Sequence, residues 1–292
     1  MPGLIKLTGT TFTNPNLKPG SADQLLSLFP TGNLMAYDFS NPVTFPAQGG
    51  AFVPDQVFKS LGGGTDLVLT ATTSGSHQYF PGLAYSGGGL NFLNGNAGGN
   101  AESIFLRTQT PRLNLSGKKR VLMISWVSQV DLGASRQFFA GIMGQARTTN
   151  GAAPAADLAE QSWVLSTQGN GLGARFLIFQ PGTANGVGIT FSTNWVGKRQ
   201  MAVLVDYVAG LITGYVNGVV FATQAFSTGT YGSGFPTVAT HVGIGSWGGA
   251  TQIQGAFQGK HYRHLMWDME NSAYDPAQIV ARDYEFNNAK FS

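Results

Sequence analysis

Cysteine and long apolar runs are both missing from this sequence. It contains no cysteine, so disulfide bridges and thiolate metal sites are excluded together. No apolar stretch approaches the roughly 18 residues that a membrane-spanning helix needs, and no apolar signal-peptide core follows Met1. We therefore expect a soluble protein with no classical export signal and no membrane insertion.

Charge is also scarce. Charged residues make up 11% of the chain, less than half of the roughly 25% that is usual in soluble proteins. Solubility must then come from Ser, Thr, Asn and Gln side chains and from the backbone, as in lectins and assembly subunits, although a low-charge enzyme has the same composition. The formal net charge of +3 is too small to indicate a nucleic-acid partner.

Glycine is abundant, and its placement indicates many turns. The 41 glycines are scattered between short apolar runs without a period, which excludes collagen. Residues 201–205 form an apolar run that is too short for a buried helix and rich in β-branched side chains. Asn217 and Gly218 then supply the two positive φ angles of a type I′ turn between two further strands. Residues 199–223 are therefore predicted to form an antiparallel meander.

Short strand patterns continue along most of the chain and are followed by one helix. About a dozen strands begin near residue 34, at the spacing expected of a sandwich. Near the end, Asp275 is a suitable N-cap, Pro276 suits the first helical position, and Gln278 completes a capping box. We predict an all-β fold: a two-sheet antiparallel β-sandwich, of jelly-roll type, with an N-terminal arm and a short C-terminal helix.

The arm is predicted to comprise residues 1–30, and the sandwich residues 31–292. Residues 22–29 are expected to form a short helix that Pro30 stops. Its apolar side chains must be covered, because burying each would contribute about 1.5–3 kcal/mol. Either the sandwich or a neighbouring subunit could cover them, and we expect the subunit, since the preceding prolines favour an extended, reaching segment. The candidate assembly contacts are Leu25, Leu26, Leu28 and Phe29.

Six segments occur in an order and spacing that match a known fold family. They are Trp195, residues 201–207, 214–220, 241–245 and 257–267, and the helix after Asp275. Together they resemble the laminin-G-like domains of the concanavalin A-like superfamily, and the resemblance covers roughly residues 34–288. It implies the jelly-roll fold but not one function, because this fold carries lectins, glycosidases, adhesins and structural modules.

The catalytic members of that superfamily imply a test for enzymatic activity. They carry two carboxyls on one strand, as Glu-x-Asp-x-Glu or Glu-x-x-x-Glu, so that both flank the scissile bond. No predicted strand here contains such a pair. Asp268 and Glu270 could share a face, but they end the last strand, where the family has its exit loop. We assign no catalytic residue and expect no enzyme.

Metal sites are not predicted either. His261 and His264 are three residues apart, which places them on opposite faces of a regular strand, so a shared metal would need a bulge. Related domains often bind calcium through carboxylates at the rim of the sandwich. The resemblance implies Asp38 and Asp206 as the acids at matching positions. We expect no cofactor, with calcium as the alternative.

Two aromatic residues are candidates for carbohydrate binding. Trp247 and Tyr231 fall in or near predicted loops that are rich in Asn, Gly and Ser. An aromatic ring can stack on the CH face of a sugar while amides bind its hydroxyls. The other tryptophans match core or rim positions of the fold.

These features, together with the resemblance, lead to one functional expectation and two alternatives. We expect a non-enzymatic structural protein of a bacteriophage virion, in the tail, fibre, baseplate or capsid decoration, assembled in the host cytoplasm. Its expected partners are other virion subunits, further copies in a homo-oligomer, and a host-surface polysaccharide. The first alternative is a polysaccharide-active glycosidase or lyase of the same superfamily. The second is a bacterial cell-surface lectin.

Overall fold

Two antiparallel sheets packed face to face form the protein. A computed structural model describes residues 23–53, 55–62, 64–73, 83–93, 102–108, 115, 117–129, 138–143, 163–167, 174–179, 186–191, 197–235, 241–245 and 257–291. Among these residues, no helix has the length and apolar character needed to cross a membrane. The predicted all-β sandwich is confirmed.

The described residues contain sixteen strands and three short helices. The strands are β1 (Asn33–Asp38), β2 (Val57–Phe58), β3 (Leu67–Thr73), β4 (Leu83–Ser86), β5 (Gly89–Leu93), β6 (Glu102–Thr108), β7 (Arg120–Gln129), β8 (Phe138–Met143), β9 (Trp163–Thr167), β10 (Ala174–Phe179), β11 (Gly186–Thr190), β12 (Gly197–Asp206), β13 (Leu211–Val216), β14 (Val219–Ala225), β15 (His241–Ile244) and β16 (Gln258–Asp268). The helices are α1 (Gln24–Leu28), α2 (Thr228–Tyr231) and α3 (Pro276–Asn287).

Each sheet contains eight strands. The first sheet has the order β14-β13-β12-β7-β16-β5-β4, and β1 also pairs with β16. The second sheet has the order β11-β10-β9-β8-β15-β6-β3-β2. Every pairing between described strands is antiparallel. Strand β16 is the branch point of the first sheet, because it pairs with β1, β5 and β7.

The predicted meander is present as β12, β13 and β14. Asn217 and Gly218 have φ angles of 49° and 87°, and Val216 pairs with Val219 on either side of them. Two positive φ angles in a two-residue hairpin are the signature of a type I′ turn. This prediction is confirmed.

Apolar side chains form two clusters, one on each face of the first sheet. The larger lies between the sheets and includes Val203 from the first and Leu69 and Phe176 from the second. The smaller lies on the outer face of the first sheet, where α1 and α3 pack against residues such as Ile124 and Leu265. The central strands of the first sheet are thus buried on both faces, with the two helices contributing to the outer cover, whereas the edge strand β14 is largely exposed.

Helix α1 belongs to that outer cover, which corrects the expectation that it packs away from its own domain. Leu25, Leu26 and Phe29 are buried in the same cluster as the sheet residues, because the apolar outer face of the sheet needs a cover. The boundary predicted at residue 30 therefore crosses a packed contact. Only Leu28 of the four candidate assembly contacts is exposed, at 49%, and its contact with another subunit stays a prediction.

An aspartate caps the N-terminus of each predicted helix, but no described hydrogen bond of Gln278 forms the capping box predicted after Asp275. The Asp23 carboxylate accepts hydrogen bonds from the backbone nitrogens of Leu25 and Leu26, so α1 begins two residues later than predicted. The Asp275 carboxylate accepts from Ala277 N at 2.9 Å, and Pro276 takes the first position of α3. Asp23 and α3 meet again at the candidate site.

Candidate functional site

One arginine collects carboxylates from three separate elements on the outer face of the first sheet. Arg263 of β16 is fully buried. Its Nε donates to Asp283 Oδ1 of α3 at 2.9 Å, and its Nη1 donates to Asp38 Oδ2 of β1 at 3.0 Å. Its Nη2 donates to Asp23 Oδ1, before α1, at 3.1 Å, and its Nη1 also bonds Asp23. Lys290 pairs with Asp38. We call these five residues the Arg263 cluster.

Both carboxylate oxygens of Asp283 accept hydrogen bonds from buried donors. Besides Arg263, it accepts from Trp126 Nε1 at 2.6 Å, Gln200 Nε2 at 2.8 Å and Asn287 Nδ2 at 3.0 Å. Two donors therefore meet each carboxylate oxygen. A carboxyl proton would displace one of them, so this arrangement fits the ionised form.

Burial and charge act in opposite directions on these groups. Burial alone would lower the pKa of Arg263, but the three carboxylates outweigh it and raise that pKa. Burial would raise the pKa of Asp23, but the charge and hydrogen bonds of Arg263 lower it below the ordinary carboxyl value. Burial dominates at Asp283 and raises its pKa despite Arg263.

A cleft of ≈ 310 Å³ opens beside the Arg263 cluster, between α1 and α3. This volume is near the lower end of the range for small-molecule sites, which is about 300–1,000 Å³. The residues that line the cleft are Asp23, Gln24, Leu25, Asn41, Phe286, Asn287 and Lys290.

The cleft combines amides with one aromatic ring. Phe286 is 36% exposed. Asn41 uses its Oδ1 to accept from Val43 N at 2.9 Å, and no described residue accepts from its Nδ2. Asn287 is only 4% exposed; its Nδ2 donates to Asp283, and no described residue donates to its Oδ1. The cleft thus presents unused amide donors and acceptors next to an apolar ring.

Of the two predicted carbohydrate-binding residues, the structure describes Tyr231, which does not line the cleft. Tyr231 ends α2 and is half-buried, with its ring edge-on to Phe226 at 6.2 Å between centroids. It packs against the core between the sheets. Trp247 lies outside the described residues. Their role in sugar binding stays a prediction.

Asp268 and Glu270 hold a neighbouring segment in place. Asp268 is buried and accepts from Lys118 Nζ at 2.5 Å and from Asn271 Nδ2 at 2.6 Å. Glu270 accepts from Lys119 N at 2.7 Å. Burial raises the pKa of Asp268, but the bonds from Lys118 and Asn271 outweigh it and lower that pKa. An ionised, paired carboxylate is poorly suited to act as a general acid.

The expectation that His261 and His264 lie on opposite faces is wrong. The register of β16 against β7 shifts between His261 and Arg263, so a β-bulge returns both imidazoles to the interior. Both are fully buried, with ring centroids 6.0 Å apart. Ser125 Oγ lies 2.9 Å from His264 Nδ1. We call His261 and His264 the His pair.

The His pair is held neutral. Burial lowers the pKa of His264 to about 3, and burial together with His264 holds the pKa of His261 well below its ordinary value. Three of the four ring nitrogens have no hydrogen-bond partner within the part of the chain that the structure describes: both of His261 and Nε2 of His264. The described residues contain no group of three or more His, Asp or Glu side chains that could hold a metal.

The two acids that the resemblance implied for calcium are both paired with cations. Asp38 bonds Arg263 and Lys290 within the Arg263 cluster. Asp206 Oδ2 accepts from Arg120 Nε at 2.8 Å, and its Oδ1 accepts from the backbone of the following turn. Neither carboxylate is directed at an open coordination position by the described contacts.

Comparisons with known proteins agree on the fold. No protein-family model matches the sequence, and no curated protein matches it. The binding domain of botulinum neurotoxin DC, in complex with SialylT, matches with a TM-score of 0.51 and 8% identity over 87% of this chain and 51% of that chain. The sialidase of Trypanosoma rangeli, in complex with sialic acid, matches with a TM-score of 0.52 and 12% identity over 89% of this chain and 34% of that chain.

These likenesses establish the β-sandwich fold. At 8% and 12% identity they concern the path of the backbone and not particular side chains. The chain spans about half of the toxin domain's length and about a third of the sialidase's length.

Proposed function

We propose that this chain is a non-enzymatic carbohydrate-binding β-sandwich and that the cleft is its sugar site. The observation that carries the proposal is the lining of the cleft. The Phe286 ring can cover the CH face of a sugar, while the amides of Gln24, Asn41 and Asn287 can bind its hydroxyls. A volume of ≈ 310 Å³ suits one or two sugar units.

The fold neighbours add support from another direction. Both the toxin domain and the trypanosomal sialidase form their complexes with sialyl ligands. A sandwich of this kind is therefore compatible with glycan recognition, although fold alone does not set function.

Binding is favoured over hydrolysis by the state of the carboxylates at the cleft. Glycoside hydrolysis needs a protonated acid and a second carboxylate across the scissile bond. Asp23 lines the cleft but accepts two hydrogen bonds from Arg263, and Asp38 behind it bonds both Arg263 and Lys290. Arg263 lowers the pKa of Asp23 and so favours its ionised form, and both carboxylates are already engaged by cations, which supports a binding role.

The sugar-binding proposal can be tested on immobilised bacterial polysaccharides. Phe286→Ala is expected to weaken binding roughly three- to tenfold, because an aromatic contact contributes about 0.5–1.5 kcal/mol beyond its buried area. The matched control is Phe221→Ala on β14, whose ring is 49% exposed and outside the cleft. Equal losses in both variants would contradict the cleft as the site, and release of reducing sugars by the wild type would contradict a non-enzymatic role.

We further infer that the protein does this work as a structural component of a bacteriophage virion, beside other subunits. The laminin-G-like sequence pattern, the 11% charge content and the exposed Leu28 of α1 support this inference. Mass measurement on purified particles should find the chain in many copies per virion. Its absence from particles would contradict the virion role and leave the sugar-binding proposal standing.

A further inference from the structure

The charges around the cleft are not balanced. The Arg263 cluster contains three carboxylates and two cations, a net charge of −1 when all are ionised. The pKa of Asp23 is lowered, and the four donors around Asp283 fit its ionised form. The cleft is therefore lined by one carboxylate, Asp23, and one cation, Lys290, in front of a buried cluster with one excess negative charge.

The arginine at the centre of this cluster is not available to a ligand. Arg263 is fully buried and already donates to Asp23, Asp38 and Asp283. Lys290 is the cation that lines the cleft, and Asp38 neutralises it. A ligand carboxylate would gain little from Lys290 and would be repelled by Asp23.

The hydrogen-bonding groups that the cleft keeps for a ligand are uncharged amides. Asn41 keeps an unused amide donor, Asn287 keeps an unused acceptor although it is 4% exposed, and Gln24 presents a complete amide at the surface. A sugar hydroxyl both donates and accepts, so it can satisfy each of these groups. Asn287 Oδ1 lies at the cleft with acceptor capacity to spare, so a sugar hydroxyl can donate to it.

We infer that the cleft selects uncharged sugars and discriminates against acidic ones. This inference rests on the proposed sugar-binding function and adds the chemical class of the ligand. The side chains of the cleft favour hydroxyl groups, and its net charge opposes a carboxylate.

Matched pairs of oligosaccharides test this selectivity. Lactose and sialyllactose, together with longer uncharged bacterial oligosaccharides and their sialylated forms, are titrated against the full chain at low salt. We expect the uncharged member of each binding pair to bind at least tenfold more tightly. Equal or tighter binding of the sialylated member would overturn the inference while the sugar-binding function stands. Binding of neither member in any pair would instead overturn the proposed function.

A charge change at the rim provides the second readout. Gln24→Lys adds a cation beside Asp23, so it is expected to reduce the preference for uncharged sugars several-fold at low salt, with the difference shrinking as salt is added. The matched control is Gln224→Lys, on an exposed position of β14 outside the cleft. Both substitutions change the net charge equally. An equal change of preference in the two variants would show that overall charge is responsible, and the inference would fail.

Discussion

Strand β16 carries two buried polar groups that differ in their charge and in the face of the sheet on which they lie. Arg263 and the His pair are fully buried on opposite faces of the first sheet. Arg263 keeps its charge because three carboxylates surround it. The His pair loses its charge because burial lowers both pKa values and, among the described residues, three of its four ring nitrogens have no hydrogen-bond partner. Burial disfavours the charged form in both places, and the presence or absence of opposite charges decides the outcome.

One backbone irregularity separates the two groups. In a regular strand, His261 and Arg263 would face the same side, and His264 the other. The bulge between His261 and Arg263 places Arg263 under the helices and both imidazoles in the core. The bulge thus places Arg263, which stays charged, on one face of the sheet and the two histidines, which can become neutral, on the other.

The largest expected effect comes from removing the paired charge. Arg263→Met leaves three buried carboxylates without their common partner, so we expect the free energy of unfolding to fall by about 3–5 kcal/mol. Urea titration at neutral pH measures it. Arg282→Met is the matched control, since Arg282 forms an exposed pair with Glu285 on α3 and should change stability by less than about 1 kcal/mol. Similar losses in both variants would mean that the Arg263 cluster is no more than a surface ion network.

Lowering the pH should reduce the stability of the fold through the His pair, which lies on the inner face of the first sheet. In the unfolded chain His261 and His264 bind protons below their ordinary pKa of 6.5, whereas the folded chain resists protonation because both pKa values are lowered. Stability is therefore complete above pH 6.5 and is lost as the pH falls below it. At about pH 5.5 each histidine should cost about 1.4 kcal/mol, and the pair about 3 kcal/mol.

Urea titrations between about pH 7.5 and 5 measure this loss. Most carboxyls remain ionised in that window, because the ordinary pKa is 3.8 for aspartate and about 4.3 for glutamate. His261→Leu should remove about half of the pH dependence and leave the rest to His264. A stability that does not change across the window, or a variant with the full slope, would contradict the neutral His pair.

The sequence predicted the secondary-structure elements better than the contacts between distant elements. The meander, the Asn217-Gly218 turn and the start of α3 follow from patterns within a few residues, and each is confirmed. The Arg263 cluster joins Asp23 to Arg263, which are 240 positions apart, and no local pattern specifies such a pair. Arg263 in the apolar strand between His261 and Trp267 was the available signal, because a buried arginine requires carboxylate partners.

Helix α1 is a second case in which the sequence predicted an element but not its contacts. Its composition predicted a helix with an apolar face that needed a cover, and both points are correct. The nature of the cover could not be predicted from the local sequence, because apart from Ala36 of β1 the outer face of the first sheet is formed by strands far from α1 in the sequence, such as β7, β12 and β16. The bulge in β16 had no signal either, since Tyr262 suits a regular strand as well as a bulged one.

The smallest expected effect connects the hairpin turn to the Arg263 cluster. Gly218 has a φ of 87°, and a Cβ there would lie 3.1 Å from Tyr284 Cβ on α3. Its backbone nitrogen donates to Gln200 Oε1 at 2.8 Å, and Gln200 Nε2 donates to Asp283 Oδ2. Gly218→Val forces a β-branched residue into the left-handed region, which should cost about 1–2 kcal/mol.

A matched glycine and a double variant separate strain from coupling. A Cβ added at Gly229 on α2 would contact, among the described residues, Ser227 Oγ at 3.7 Å, so thermal unfolding should show a clearly smaller loss for Gly229→Val than for Gly218→Val. An unchanged melting temperature in Gly218→Val would contradict the strained turn. If Gln200 transmits the disturbance to Asp283, the losses of Gly218→Val and Arg263→Met should deviate from additivity by about 0.5 kcal/mol or more. Additive losses would show that the hairpin turn and the Arg263 cluster contribute to stability independently.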